Sequence, residues 1–216
     1  MRENKPFPEN VHVINHPLVQ HKLTTLRNKH TSTMEFRSIA AEIGLILAYE
    51  ATRDLALQSV SIETPLELTE GQVLAGRKTC IISILRAGNG LLQGVLQLLP
   101  AAKVGYVGME RDEETHRPRA YYCKLPKAMQ ERTTLVVDPM LATGFSAIES
   151  IRQAKSLGAQ DVRFLCLLAT PEGIAAMHEA LPEVPIYTAA IDRGLDENAY
   201  IRPGLGDAGD RLYGTL

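Results

Sequence analysis

Three cysteines, Cys80, Cys123 and Cys166, are all that the 216-residue chain carries. They are odd in number, far apart and without the paired spacing of a zinc site, which argues against a disulfide framework and against a structural metal. Each lies in an apolar, strand-like run ("TCIISIL", "AYYCKL", "RFLCLLA"), so the expectation is three buried, reduced thiols. An excess of charge is missing too, with 23 Lys and Arg against 25 Asp and Glu. A net charge of −2 supplies no global field to draw in nucleic acid or acidic membranes, and no nucleic-acid partner is expected. No apolar run reaches the roughly 18 residues of a membrane helix. The opening "MRENKPFPEN" has neither the apolar core nor the small-residue cleavage site of a secretory leader. The expected location is the cytoplasm, with no membrane partner. Internal repeats, low-complexity tracts and linkers are absent as well, and one domain spanning 1–216 is the default reading.

What is present is alternation. After His30, Ser32 and Glu35 have capping-box spacing, and Phe36, Ile39, Ala40, Ile43, Leu47, Ala51 and Leu55 follow at intervals of three and four. This predicts a long amphipathic helix. Short apolar runs then alternate with helical patterns of about ten residues: "TCIISIL", "GLLQGVLQLL", "KVGYVGM", "TLVVD", "AIESIRQAKSLG", "DVRFLCLLA", "EGIAAMHEAL" and "PIYTAAI". Such text predicts an α/β fold, doubly wound, with a mainly parallel sheet covered on both faces. Two segments fall outside the alternation. Residues 109–125 open with charges, pass through Pro118 and become strand-like at Ala120, which reads as a hairpin lid. Residues 192–216 carry five glycines after Arg193 and little periodicity, and long irregular segments of this kind are usually functional.

In an open parallel sheet, ligands sit beyond the carboxyl ends of the strands. The run Leu135 to Val137 ends there in Asp138, and the loop "ATGFSA" leads into a helix near Ser146. Free amides and the positive end of a helix dipole favour a phosphate at such a place, with Thr143 and Ser146 adding hydroxyl donors. A carboxylate just before that cradle suits the two hydroxyls of a ribose. Taken alone, the stretch equally describes a strand end followed by a capped helix. It is not a Walker loop or a dinucleotide fingerprint, because the glycine spacing of both is missing. A second strand, "IISIL", ends in Arg86-Ala87-Gly88, a cation with close-approach glycine that suits another anionic group, or else a surface arginine in a tight turn. Two such strand tips together fit a ligand with phosphates at both ends. His12, His16 and His21 near Pro17 read as packing of the N-terminal segment rather than as metal ligands. His116 and the charges around it read as solvated, as do Lys124 and Lys127.

The motifs "VVDPMLATG", "ILRAG", "RDEET" and "YIRPGLGDAGDRLYGT", with "HPLVQHKLTTLRNKHT" near the start, resemble the uracil phosphoribosyltransferase family over essentially the whole chain. The resemblance implies a phosphoribosyltransferase-type sheet, an N-terminal arm over 1–30, the lid at 109–125 and a base-binding tail at 192–216. It implies transfer of a phosphoribosyl group from 5-phosphoribosyl 1-diphosphate (PRPP) to uracil, giving uridine monophosphate (UMP) and diphosphate in pyrimidine salvage. PRPP would be bound by Arg86, Arg111, Asp138, Pro139, Met140, Leu141, Ala142, Thr143, Gly144, Phe145, Ser146 and Asp207. Among these, Asp138, Arg86 and Asp207 would carry the catalysis. Uracil would be held by Tyr200, Ile201, Gly206, Asp207 and Ala208, largely through backbone groups. The same resemblance implies Mg2+ carried on PRPP and water rather than in a protein cage, GTP as an allosteric activator, and a homodimer or homotetramer. An alternative from another class is a degenerate paralogue that senses nucleotide or binds RNA. Pro139 takes the place of the second acid of other phosphoribosyltransferases, as in the uracil branch. Two positions depart from the family pattern: Phe145 stands where glycine is common, and Arg202 stands where an aliphatic residue is common. At negative φ the Phe145 N–H can still donate to a phosphate, whereas at positive φ its ring would be strained.

Overall fold

A long helix and an interior strand set the frame of the computed structural model, which describes residues 7–111 and 118–215. The chain runs β1 (Val11–Val13), α1 (Pro17–Arg27), α2 (Thr33–Ala51), β2 (Leu57–Glu63), β3 (Leu68–Leu74), β4 (Cys80–Leu85) and α3 (Asn89–Leu98). It continues as β5 (Lys103–Arg111), β6 (Pro118–Lys124), β7 (Thr134–Val137), β8 (Met140–Leu141), α4 (Phe145–Ser156), β9 (Val162–Ala169) and α5 (Pro171–Ala180). It closes with β10 (Ile186–Ile191), β11 (Gly194–Leu195), β12 (Ile201–Arg202) and α6 (Ala208–Tyr213). Helix α2 starts where its box predicts, with Ser32 accepting the Glu35 amide at 3.2 Å, but it ends at Ala51, so Leu55 lies beyond it.

The main sheet is ordered β1-β10-β9-β7-β4-β5-β6, with β8 added beside β9. Every pairing is parallel except β5 with β6. Strands β7 and β9 are buried at every position, which is why they read as continuous apolar runs rather than alternating ones. Helices α1, α2 and α3 cover one face, where Leu135 and Val137 point, and α4 and α5 cover the other, where Val136 points. The expected doubly wound α/β class is therefore observed. After β4 the chain places β5 on one side, and after β6 it returns to place β7 on the other. The order reverses around β4, and this switch point opens a crevice at the carboxyl tips of β4 and β7.

Several segments differ from the sequence reading. Part of the arm belongs to the body of the fold: β1 pairs with β10, and α1 buries Val19, Leu23 and Leu26. Two of its histidines make local contacts, His12 stacking on Tyr187 with ring centroids 4.7 Å apart and His16 capping α1 through Nδ1 at 3.2 Å, whereas His21 is exposed. The unassigned stretch after α2 is a β2–β3 hairpin separate from the main sheet. The segment expected to be a lid belongs to a β5–β6 hairpin whose pairing already begins at Tyr106 with Lys124. The tail is less irregular than its text, since β11 pairs with β12 and α6 follows. Cys80 and Cys166 are buried, but Cys123 is exposed on β6, because that strand lies at the sheet edge. No described helix is long and apolar enough to cross a membrane.

Candidate active site

Burying Leu135, Val136 and Val137, at about 1.5–3 kcal/mol for a large aliphatic side chain, fixes β7 centrally and delivers Asp138 to the crevice. The Asp138 amide donates to the Leu165 carbonyl at 3.1 Å, so the residue is still held by the ladder with β9. Its carboxyl is partly buried, and desolvation raises its pKa from 3.8 to about 7, opposed by a hydrogen bond from the Met140 amide. Behind it, burial pushes the Cys166 thiol up to about 12, which leaves it neutral and apolar in character.

The loop after Asp138 divides into support and rim. Pro139 is buried, and its carbonyl accepts the amides of Leu167 and Leu168 at 2.9 and 3.1 Å. Met140 and Leu141 form β8, and the Leu141 carbonyl takes the Thr170 amide at 3.1 Å. Thr170 also donates its hydroxyl to the Ala142 carbonyl at 2.6 Å. The next residues form the rim. Gly144 has φ 84° and stands as N-cap of α4 with no side-chain cap, so the first amides of that helix are left uncapped beside Thr143 and Ser146. A side chain at 144 would be strained by the positive φ, and its Cβ would come within 3.2 Å of the Gly173 carbonyl. Phe145 is the first helical residue, is not among the positive-φ positions, and is 59% exposed. Glycine is needed one position earlier than the aromatic ring, and the ring lies out at the surface.

Across the crevice, the Leu85–Arg86 peptide is cis, and Gly88 packs so closely that a Cβ there would lie 2.5 Å from the Val137 carbonyl. The Arg86 turn is thus seated on the end of the strand that carries Asp138. The Arg86 side chain is 61% exposed, with its Nη2 4.0 Å from Asp210 Oδ1 and its guanidinium 5.6 Å from the Tyr213 ring. Asp210, which reads from sequence as a solvated turn residue, is the tail acid that faces Arg86. Asp207 instead is exposed and caps α6 by accepting the Asp210 amide at 2.8 Å. Arg111 ends β5, but its side chain, together with all of residues 112–117 including His116, lies outside the described residues.

The tail is clamped from below. Asp192, at the carboxyl end of β10, is gripped by Arg27 at 2.5 and 2.7 Å and accepts the Gly204 amide at 2.9 Å. Arg27 also donates to the Gly204 carbonyl at 2.8 Å. Arg211 bonds the carbonyls of Leu26 and Leu205 at 2.6 and 2.7 Å and lies 4.4 Å over the Phe36 ring. Ile201 and Ala208 are buried, while Tyr200 and Gly206 are exposed. Arg202 turns to Asp196, its Nε and Nη2 at 2.7 and 2.5 Å from one oxygen. The supports Arg27, Asp192, Thr170 and Tyr213 went unread in sequence, and Asp210 reads there only as a solvated turn residue. One signal was available: Asp207 and Asp210 have the three-residue spacing of a helix start. Among the described residues, no three His, Cys, Asp or Glu side chains are grouped to hold a metal ion.

The family model for uracil phosphoribosyltransferase matches residues 13–215. A uracil phosphoribosyltransferase of Polaromonas naphthalenivorans is 56% identical over 206 residues, covering 95% of this chain and 99% of that protein. One from Listeria innocua is 56% identical with the same coverage. Among solved structures, the AQ2163 protein from Aquifex aeolicus superposes with a TM-score of 0.89 at 36% identity, covering 94% of this chain and 97% of its own.

Proposed function

Since this chain belongs to the uracil phosphoribosyltransferase family and is a pentosyltransferase, we propose that it builds UMP in the crevice between β4 and β7, with residues 1–216 acting as one domain. The observation that carries the assignment of the site is the meeting, at one switch point, of the Asp138 carboxyl, the uncapped start of α4 and the exposed Arg86. In this reading the 5-phosphate of PRPP lies on the amides and hydroxyls of residues 142–146, and Asp138 accepts from the ribose hydroxyls. Ionised Asp138 is the form that can accept two such bonds, so ligand hydroxyls offset the desolvation that holds it protonated.

Arg86 grips the diphosphate, and Arg111 on the lid joins it. As the bond from ribose C1 to the diphosphate oxygen breaks, the sugar turns oxocarbenium-like and charge collects on the leaving group, where the arginines stabilise it. Uracil N1 then bonds to C1 with inversion and loses its proton, for which no base is assigned. Mg2+, carried on the PRPP oxygens and water, would neutralise further charge. That mode suits a chain with single carboxylates such as Asp138 and Asp207 rather than a cage, since magnesium commonly keeps several waters. Backbone groups between Tyr200 and Ala208 present donors and acceptors to the uracil edge. Cytosine places its amine against a donor and leaves buried groups unpaired, so it is rejected.

GTP activation, assembly as a homodimer or homotetramer and a cytoplasmic location complete the proposal. Family membership motivates the first two, and the two buried free thiols fit the third. Sedimentation with and without GTP tests the assembly. The central test is formation of UMP from uracil and PRPP with Mg2+, ranked against 5-fluorouracil, cytosine and purines. Absence of turnover with every pyrimidine base would sink the proposal.

A further inference from the structure

Three contacts from one short helix converge on Arg86. The Tyr213 hydroxyl donates to the Arg86 carbonyl at 2.8 Å, the Tyr213 ring lies 5.6 Å from the guanidinium, and Asp210 Oδ1 stands 4.0 Å from Nη2. They are not equivalent. An exposed ion pair at that distance contributes little, and an exposed cation–π contact is modest. The hydroxyl bond acts on the backbone from which the side chain springs. The other donor to the same carbonyl, the Asn89 amide, is longer at 3.3 Å.

The far end of this contact is rigid. The Asp210 carbonyl takes the Gly214 and Thr215 amides at 2.7 and 3.3 Å, and the Asp210 carboxylate accepts the Thr215 hydroxyl at 2.5 Å. The Leu212 carbonyl is bonded by Arg37 from α2. Leu212 is buried, which seats Tyr213 beside the strand tip. The helix itself begins at Ala208, directly after Gly206 and Asp207. One six-residue element therefore runs from the base-binding segment to the arginine at the other end of the ligand.

We infer that Tyr213 is a positioning residue whose hydroxyl holds Arg86 in the orientation that receives diphosphate, so that the grip on the leaving group depends on the seating of the base-binding tail. The inference rests on the reading of Arg86 as the diphosphate arginine. Loss of the hydroxyl frees the Arg86 turn while leaving the ring, its burial and the helix in place. The cost falls on binding and departure of diphosphate and not on uracil.

Tyr213→Phe in the full chain tests this. The expected result is a rise of about three- to tenfold in KM for PRPP, the range for one hydrogen bond, with KM for uracil and the melting temperature unchanged. Calorimetric titration with Mg2+ and PRPP should show the same weakening, and in an Arg86→Ala background Tyr213→Phe should add nothing. Unchanged PRPP binding in Tyr213→Phe, with weakened binding in Arg86→Ala, overturns the inference and leaves the site assignment standing. Unchanged PRPP binding in Arg86→Ala overturns the assignment itself. Equal rises in both KM values with a lower melting temperature, or an additive effect in the Arg86→Ala background, also overturn the inference, because the hydroxyl would then be a general support of the tail.

Discussion

Arg27 grips both carboxylate oxygens of Asp192 from 165 residues away in the chain. The pair joins α1 to the end of β10, and both partners bond Gly204, one to its amide and one to its carbonyl. The position of the C-terminal tail, proposed above to bind the base, thus depends on a residue in the N-terminal segment.

Arg27→Met should therefore do more than remove a charge. It leaves the Asp192 side chain, only 4% exposed, without its partner, and breaking such a pair costs about 2–3 kcal/mol when one partner still reaches water. The expected drop in melting temperature is roughly 5–10 °C. KM for uracil should rise more than KM for PRPP. Adding Asp192→Asn should recover part of the stability, because the buried charge is then gone.

Asp138 gives the pH dependence a sign. Folding raises its pKa from 3.8 to about 7, so the folded chain keeps a proton that the unfolded chain has released. Stability without ligand should decline as pH rises across that window, by up to about 2 kcal/mol after allowance for water at the site, and should be flat above it. Thermal melts from pH 4 to 8 check this, and Asp138→Asn should flatten the slope. For kcat/KM with PRPP the direction reverses, since the carboxylate is the accepting form. Activity should rise through about pH 7. Asp138→Asn should lower kcat/KM about 100-fold, the scale of two bonds to a charged acceptor.

The parts of the fold that sequence revealed are those with a strong local pattern. Leu135 to Val137 and Val162 to Ala169 are buried throughout, so they read as interior strands, and Ser32 with the spacing behind it marked α2. The β2–β3 hairpin left no such trace: Leu57–Glu63 and Leu68–Leu74 are exposed or half-exposed at every residue, so no buried face imposes alternation. Helix α6 has six residues, too few for a period to appear. The crevice positions Asp138, Gly144 and Arg86, proposed to meet the ligand, were legible because strand tips and helix starts are local features. Their supports were not, since Arg27–Asp192 and Tyr213–Arg86 join distant segments and no local rule links them.

Arg202 stands where an aliphatic residue is common, and because base recognition there is expected to use mainly backbone, the sequence reading turns its side chain away from the base. Its guanidinium is engaged by Asp196, whose carboxylate also accepts the amides of Asn198 and Tyr200 at 3.0 and 2.9 Å. Arg202→Val should change stability by less than about 1 kcal/mol, as for an exposed pair. It should also leave the ratio of uracil to cytosine turnover unaltered. A shift in that ratio would mean that the side chain reaches the base after all.

Gly144 and Phe145 divide the loop proposed to hold the 5-phosphate between conformation and surface. Gly144→Ala must hold a φ of 84° in a residue that disfavours it, at about 1–2 kcal/mol, and its new methyl meets the Gly173 carbonyl at 3.2 Å. The loop can relieve the strain only by moving the first amides of α4, and KM for PRPP should rise about tenfold. Phe145→Ala keeps the N–H and removes a ring that is 59% exposed, so its effect on stability should stay within about 0.5 kcal/mol. Its KM for PRPP should change far less than that of Gly144→Ala. Measuring both variants side by side separates the two roles: a larger loss in Phe145→Ala would show that the ring, rather than the backbone, meets the 5-phosphate.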